Sequence, residues 1–340
     1  MDRLVIGGET RVWIGANADL AVVLGDALPR RIAFIVQPGV PAEIGRRLGS
    51  DATVIEVPDG EAAKNLATVE MVCLRLSEVG MERTDLLVGV GGGAATDLCG
   101  FVAAVFLRGI RVHYVPTTLV GAVDAAIGGK TGVNVGAKNS VGAFRHPARV
   151  IIDTAVLEAL PLPLVRMGAA EAFKAGMVGD PALVDLYERH GLAAPLGEVV
   201  DRAIRVKAAI VGADFLETGV RAHLNYGHTI GHAVELAAGV PHGAAVAIGM
   251  VAAGRVSAML AGFAHETRQA TIISSLGLPV VSPPTDPDAV RSLLARDKKR
   301  TGGTTRMVVL ADVGRPQVVA VDDATVTAAL TAVAIGGGSE

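Results

Sequence analysis

The sequence predicts an α/β half followed by a mainly helical half. Two observations carry this reading. Short β-branched runs alternate with helical segments over roughly the first 160 residues, and from about residue 164 the pattern is helical almost throughout. Five runs read as strands: "RIAFIVQPG", "DATVIEVPDG", "DLLVGVGGG", "VHYVPTT" and "ARVIIDT", each ended by Gly, Pro, Asp or Thr. Between them "EIGRRLGS", "NLATVEMVCLRLSEVG" and "ATDLCGFVAAVFLRG" carry helical spacing, with Val69, Val72, Cys73 and Leu76 on one face of the second. Such alternation implies a mostly parallel sheet with helices on both faces.

After "LEALPLP" come "LVRMGAAEAFKAGMVG", "PALVDLYERHG", "EVVDRAIRVKAAIVGADF", a histidine-bearing region and "DPDAVRSLLARDKKR", all with helical patterning. The boundary is expected near residue 162, giving domains of 1–162 and 163–340. A short strand, "TRMVVLADVG", returns near the end, and the final "GGGSE" reads as frayed.

Composition narrows the function classes. In 340 residues, 51% are hydrophobic and 19% charged, which fits an ordered globular protein. Aromatics at 3%, a net charge of −3 and no basic cluster argue against nucleic acid as a partner. Cys73 and Cys99 are too few for a disulfide framework and sit in apolar surroundings, as buried inert thiols do. The start "MDRLVIGGET" lacks the apolar run of a secretory signal, and Arg255 interrupts the most apolar late stretch, so a cytoplasmic protein without a membrane span is expected.

Several segments carry chemistry. "LLVGVGGGAATDLCGF" places Gly89, Gly91, Gly92 and Gly93 between a strand and a helix, where backbone N–H groups can approach a phosphate. Ala94 breaks the G-x-G-x-x-G spacing, so tight strand–helix packing explains the cluster equally well. "VPDGEAAKN" presents Asp59, Glu61 and Lys64 at the strand-end edge where ligands of open α/β sheets collect; a solvated turn is the alternative. "PTTLVGAVDAAIGGKTGVNVGAKNSVGAF" holds Thr117, Thr118, Asp124, Lys130, Lys138 and Asn139 amid small residues. Lysines separated by glycines read as donors on flexible backbone around an anion, with Arg108 available to join them.

The histidines come last. His228 and His232 lie four apart on one helical face, Gly239 and Pro241 end that helix, and His242 opens the next. A turn of this kind can return His242 to the first pair. Imidazoles plus a carboxylate form a catalytic zinc set, and Glu171, an acid in an apolar helix with Lys174 one turn on, is the carboxylate candidate. Glu217, Arg221 and Asn225 lie nearby in "DFLETGVRAHLN".

These segments, "PDGEAAKN", "GGGAATDLCGF", "LRG", "PTTLVGAVDAAIGGKTGVN", "GAKNSVGAF", "AEAFKAG", "RAHLNYGHTIGHAVE", "HGAAVAIGM" and "DKK", occur in order along nearly the whole chain. In them the sequence resembles 3-dehydroquinate synthase and its sugar phosphate cyclase relatives. The resemblance implies a Rossmann-like NAD-binding domain followed by a helical metal- and substrate-binding domain. It implies a cycle in which NAD oxidises a ring carbon, phosphate is eliminated, the hydride returns, the ring opens and an aldol step closes a carbocycle.

By resemblance, Glu171, His228 and His242 ligate zinc or cobalt, and His232 serves the phosphate and the proton transfers. Lys130, Lys174, Asn139, Arg108 and Lys298 or Lys299 grip the phosphate. The dinucleotide lies on Asp59, Glu61, Lys64, Gly91, Gly92, Gly93, Asp97, Thr117, Thr118, Asp124, Lys130 and Lys138. Lys207 and Arg221, with Asn225 beside them and Glu217 nearby, stand where the family places the groups for a substrate carboxylate. That favours 3-deoxy-D-arabino-heptulosonate 7-phosphate as substrate and 3-dehydroquinate as product; a homodimeric assembly is what the resemblance implies.

The sequence departs from the family in places. "IVQPGV" lacks the usual acid or amide for the adenosine ribose, "NVGAKNS" and the stretch from His232 to His242 are short, and Ala159 replaces a cofactor-contacting Thr. A secondary-metabolism cyclase (aminodehydroquinate, 2-deoxy-scyllo-inosose or 2-epi-5-epi-valiolone synthase) is the first alternative, and a metal-dependent polyol dehydrogenase the second. Intact Glu171, His228, His242 and Lys174 speak against a non-catalytic paralogue.

Overall fold

The computed structural model describes residues 4–27, 29–38, 52–300 and 305–336, with the backbone alone at 297–300. The predicted helix "EIGRRLGS" and most of the terminal "GGGSE" lie outside the described residues. The chain divides into two compact units, residues 1–161 with 207–216, and residues 162–206 with 217–340.

The first unit is built on a seven-stranded sheet, here labelled in chain order: β1 (Leu4–Ile6), β2 (Thr10–Gly15), β3 (Ile32–Val36), β4 (Thr53–Glu56), β5 (Leu86–Gly91), β6 (Arg111–Pro116) and β9 (Arg149–Asp153). Their order is β1-β2-β9-β6-β5-β3-β4, all parallel except the β1–β2 pair. The five strands read from sequence are present. β5 and β9 are buried along their whole length, as central strands covered on both faces must be, which is why they read as unbroken apolar runs. Chain order moves outward from β3 to β4, then returns to β5 and proceeds the other way through β6. β3 and β5 are paired, but the chain connections leave them in opposite directions, and this switch point is where open α/β sheets bind ligands.

Two hairpins were not read from the sequence. β1 and β2 turn through Gly7 and Gly8, both at positive φ (59° and 74°). β7 (Lys130–Val135) and β8 (Ala137–Phe144) occupy the lysine-rich segment, which corrects the expectation of flexible backbone there. Its glycines serve close approach: a Cβ on Gly132 would lie 2.8 Å from the Val141 carbonyl, and one on Gly142 would collide with that of Thr131.

Helix α2 (Leu66–Glu78) buries Val69, Val72 and Leu76, while Cys73 is only half-buried. Cys99, on α3 (Gly93–Val105), is fully buried, and burial pushes its thiol up, as an inert thiol requires. The first unit also contains α1 (Leu20–Leu24) and α4 (Thr154–Glu158). The inclusion of residues 207–216 was not anticipated; Phe215 stacks on His146 with ring centroids 4.0 Å apart.

The second unit is mainly helical: α5 (Leu162–Gly179), α6 (Pro181–His190), α7 (Leu196–Ala213, whose last turns belong to the first unit), α8 (His228–Ala238), α9 (His242–Ala261), α10 (Glu266–Ser275), α11 (Pro287–Arg300) and α12 (Asp323–Thr331). The late strand is one half of an antiparallel pair, β10 (Arg306–Leu310) with β11 (Pro316–Ala320). Among the described residues, α9 alone is long and apolar enough to cross a membrane, and 72% of its most apolar window is buried within the protein.

Candidate functional site

Three helices of the second unit bring the metal candidates together. α8 ends at Gly239, whose φ of 64° is the left-handed cap that reverses the chain, and Pro241 precedes His242 at the start of α9. Small residues then let the two helices close. A Cβ on Gly249 would collide with the Gly227 carbonyl, and one on Gly231 would lie 2.9 Å from the Ala245 carbonyl. A third glycine, Gly243, sets α9 against α5, where a Cβ would lie 2.5 Å from the Met167 carbonyl. Side chains 71 positions apart in the chain, Glu171 and His242, thereby meet.

The result is a compact centre. His228 Nε2 and His242 Nε2 lie 3.5 and 3.1 Å from Glu171 Oε1. Lys174, one turn along α5, is 2.5 Å from the other Glu171 oxygen. Ligand atoms of Glu171, His228 and His242 all fall within 4.8 Å of one another. Glu171 is 2% exposed; burial pushes its carboxyl up, but Lys174 and the two histidines outweigh it and hold the group well below the usual carboxylate range. Burial pulls His242 down, and hydrogen bonds to Glu171 and Glu235 raise it to about 9.

Each candidate ligand is oriented through its far nitrogen. His228 Nδ1 donates to the Tyr226 carbonyl at 3.2 Å, and His242 Nδ1 donates to Glu235 Oε2 at 2.8 Å. Tyr226 is fully buried, with its hydroxyl donating to Gln269 Oε1 and Gln269 Nε2 donating to the Met250 carbonyl. Both imidazoles thus present Nε2 to the Glu171 carboxylate. One carboxylate and two oriented imidazole nitrogens are a donor set that fits a divalent transition metal. His232 is exposed, its ring 5.0 Å from His228 and 5.9 Å from His242 by centroids. It also shares a second group of possible ligands with Glu235 and His242.

Elsewhere in this unit Arg221 is buried at 1% exposure in the turn Val220–Asn225, with Asn225 exposed at its end. Glu217 precedes that turn in a left-handed conformation, φ 59°. Lys298 and Lys299 lie on α11, and their side chains are outside the described residues.

In the first unit the glycine-rich turn caps α3 at the end of β5, beside the topological switch point. Gly91 adopts φ 154°, and a Cβ there would lie 2.7 Å from Ala95 and 3.1 Å from Gln37 Oε1. Gly93 would meet Ala125 at 3.0 Å. The turn therefore serves close packing and, through the same lack of side chains, leaves the α3 N-terminus with no side-chain cap. The Thr117 N–H donates to the Gly91 carbonyl, and Thr118 Oγ1 accepts from the Gly121 N–H.

Two of the candidate lysines of this unit are paired with carboxylates. Lys64, 2% exposed, donates to Asp97 Oδ2 at 2.6 Å and to Asn139 Oδ1 at 2.5 Å. Burial raises Asp97 to about 6 against the pull of Lys64. Lys207 donates to Asp124 at both its backbone carbonyl and Oδ1, the latter at 2.6 Å. Asn134, which the sequence reading did not single out, donates to Glu61 at 2.9 Å and accepts from the Asn139 N–H, tying the β7–β8 hairpin to the loop of Asp59 and Glu61. Lys130, Lys138 and Arg108 are exposed, Arg108 at φ 62°. Gln37, also missed, stands at the end of β3, its amide donating to the Pro58 and Gly60 carbonyls at 3.3 Å.

With this geometry in hand, the comparisons are specific. Residues 54–166 match the family model of the 3-dehydroquinate synthase N-terminal region, and residues 168–300 that of the C-terminal region. A 3-dehydroquinate synthase of Thermobifida fusca is 44% identical over 330 residues, covering 92% of this chain and 87% of that protein. Among solved structures, 2-epi-5-epi-valiolone synthase from Streptomyces hygroscopicus, with NAD+ and Zn2+ bound, is 31% identical with a TM-score of 0.85, covering 95% of this chain and 96% of its own. A 2-deoxy-scyllo-inosose synthase complexed with carbaglucose-6-phosphate, NAD+ and Co2+ is 26% identical with a TM-score of 0.84 and the same coverage. The chain belongs to the 3-dehydroquinate synthase family.

Proposed function

We propose that this protein is a phosphate-eliminating cyclase that converts 3-deoxy-D-arabino-heptulosonate 7-phosphate to 3-dehydroquinate, as in the shikimate pathway. The observation that carries the reading is the convergence of Glu171, His228 and His242, with Lys174 against the carboxylate, in a chain alike over most of its length to 3-dehydroquinate synthases. When bound, NAD supplies a hydride acceptor that gives the hydride back, and a zinc or cobalt ion supplies polarisation of the oxygen at the oxidised carbon.

The chain's residues divide the remaining work. In the second unit, Glu171, His228 and His242 hold the ion. Lys174 keeps Glu171 ionised and offers a cation to the phosphate, and exposed His232 moves protons on the phosphate side. Arg221 supplies a fixed fork for the substrate carboxylate, assisted by Asn225 and Glu217. In the first unit, Gly91, Gly92 and Gly93 bring backbone N–H groups to the dinucleotide pyrophosphate. Asp59, Glu61, Lys64, Asp97, Thr117, Thr118, Asp124, Lys130 and Lys138 contribute the rest of that site. Arg108, Asn139, Lys207 and one lysine of the pair Lys298 and Lys299 are assigned to anionic groups of the substrate by resemblance. A homodimer is the assembly proposed.

The test offers the protein, with NAD and zinc, three sugar phosphates: the heptulosonate phosphate, sedoheptulose 7-phosphate and glucose 6-phosphate. Phosphate release from the first is expected; release from a neutral sugar alone overturns the choice of substrate. Arg221→Ala should raise KM for the carboxylate-bearing substrate selectively, and an equal loss on every substrate would make Arg221 structural.

A further inference from the structure

A neutral imidazole presents Nε2 to a metal when Nδ1 carries the proton, and an acceptor at Nδ1 favours that tautomer and orients the ring. The two histidines of the second-unit centre meet this need differently. His228 uses a backbone carbonyl, that of Tyr226, which the buried chain of Tyr226, Gln269 and Met250 fixes in place. His242 uses a side chain, the carboxylate of Glu235, seven residues earlier and 2.8 Å away.

The need at His242 is also greater. It is the first residue of α9, preceded by Pro241, so its ring stands at the positive end of a 20-residue helix that disfavours a cation nearby. Its side chain is also less enclosed than that of His228, 32% exposed against 11%, so packing holds the ring less firmly. Glu235, with its side chain 17% exposed on the last turns of α8, answers both problems, supplying an acceptor of defined direction and a negative charge.

We propose that Glu235 is a positioning residue that fixes the tautomer and orientation of His242 and thereby sets the affinity of the Glu171, His228 and His242 centre for a divalent transition metal. The inference rests on the metal reading of that centre. Glu235 also belongs, with His232 and His242, to a second group of ligand atoms within 4.8 Å of one another, so its competing role is that of a ligand to a second ion.

The experiment uses the full-length protein stripped of metal and compares wild type with Glu235→Gln, Glu235→Ala and His228→Ala. Zinc affinity and ions per chain are read by competition with a chromophoric chelator at one pH. The visible absorption of the Co2+-loaded forms and the melting temperatures of the stripped forms complete the set. The expected result is one ion per chain in wild type, zinc bound about tenfold more weakly by Glu235→Gln and about a hundredfold more weakly by Glu235→Ala. The Co2+ bands of both variants should shift, with the stripped proteins melting together. Unchanged zinc affinity in both Glu235 variants, with or without a fall in melting temperature, assigns Glu235 to helix packing and overturns the proposal. A second ion in wild type that Glu235→Ala loses also overturns it, because Glu235 is then a ligand. A wild type that binds no zinc defeats the metal reading itself, an outcome distinct from equal binding by all but His228→Ala.

Discussion

In the second unit, Glu171, His228 and His242 arrive from three helices with their ligand atoms turned toward one another, whereas in the first unit Lys64 and Lys207 are each closed on a carboxylate. One centre is made of side chains whose identity decides what they hold. The other is made of a glycine turn, a helix end and charges that neutralise each other. The second-unit centre should therefore fail all at once when a single ligand is lost, and do so with little change in the stripped protein. Substitution in the first unit should be felt as stability, because a paired charge left alone in a buried place has no substitute partner.

The largest effect expected on this comparison is at His242. His242→Ala removes a proposed ligand, and zinc retention through gel filtration should be abolished, while the stripped variant melts near the wild type. Metal content equal to wild type would remove His242 from the ligand set. Next is Lys64→Met, which leaves Asp97 without its cation and still under the charges of Glu61 and Asp124. A loss of about 1–2 kcal/mol in urea unfolding is expected at neutral pH, since Asp97, already raised to about 6, takes up a proton when its cation is gone. Lys64→Met combined with Asp97→Asn should recover most of it, and absence of recovery would show that the pair is not what Lys64 stabilises.

A pH-dependent effect marks the scaffold. His113 lies buried on β6, its Nδ1 donating to the Val23 carbonyl, and burial lowers its pKa from 6.5 to about 4. Between those values the unfolded chain binds the proton and the folded one does not. This contribution is therefore complete above pH 6.5 and is lost as pH falls toward 4, up to about 3 kcal/mol. His113→Asn should flatten that part of the stability profile relative to wild type. Parallel profiles would mean that His113 titrates normally.

What could be read from sequence follows the same division. His228 and His232 announce themselves by a spacing of four, Gly239 and Pro241 mark the reversal that returns His242, and Glu171 stands out as an acid in an apolar helix. Of the five parallel strands, β5 and β9 were legible because full burial leaves them as uninterrupted apolar runs, and the others because short β-branched runs end at Gly, Pro or Thr. Glu235 was not legible, since an acid on an amphipathic helix looks like any solvated one until the hairpin of α8 and α9 closes. The β7–β8 hairpin was missed because glycine permits both flexibility and close approach, and only the partner backbone shows which is used. The hold of Lys207 on Asp124 spans 83 positions, beyond any local pattern.

The central claim is that the two centres serve one reaction in which NAD is recycled within each turnover. It is tested most directly by giving the zinc-loaded protein the heptulosonate phosphate in large excess over NAD and following phosphate and NADH together. The account predicts that phosphate release continues far beyond the amount of NAD, with no net NADH absorbance. Release that stops when NAD is spent, or NADH that accumulates in step with substrate, would contradict it.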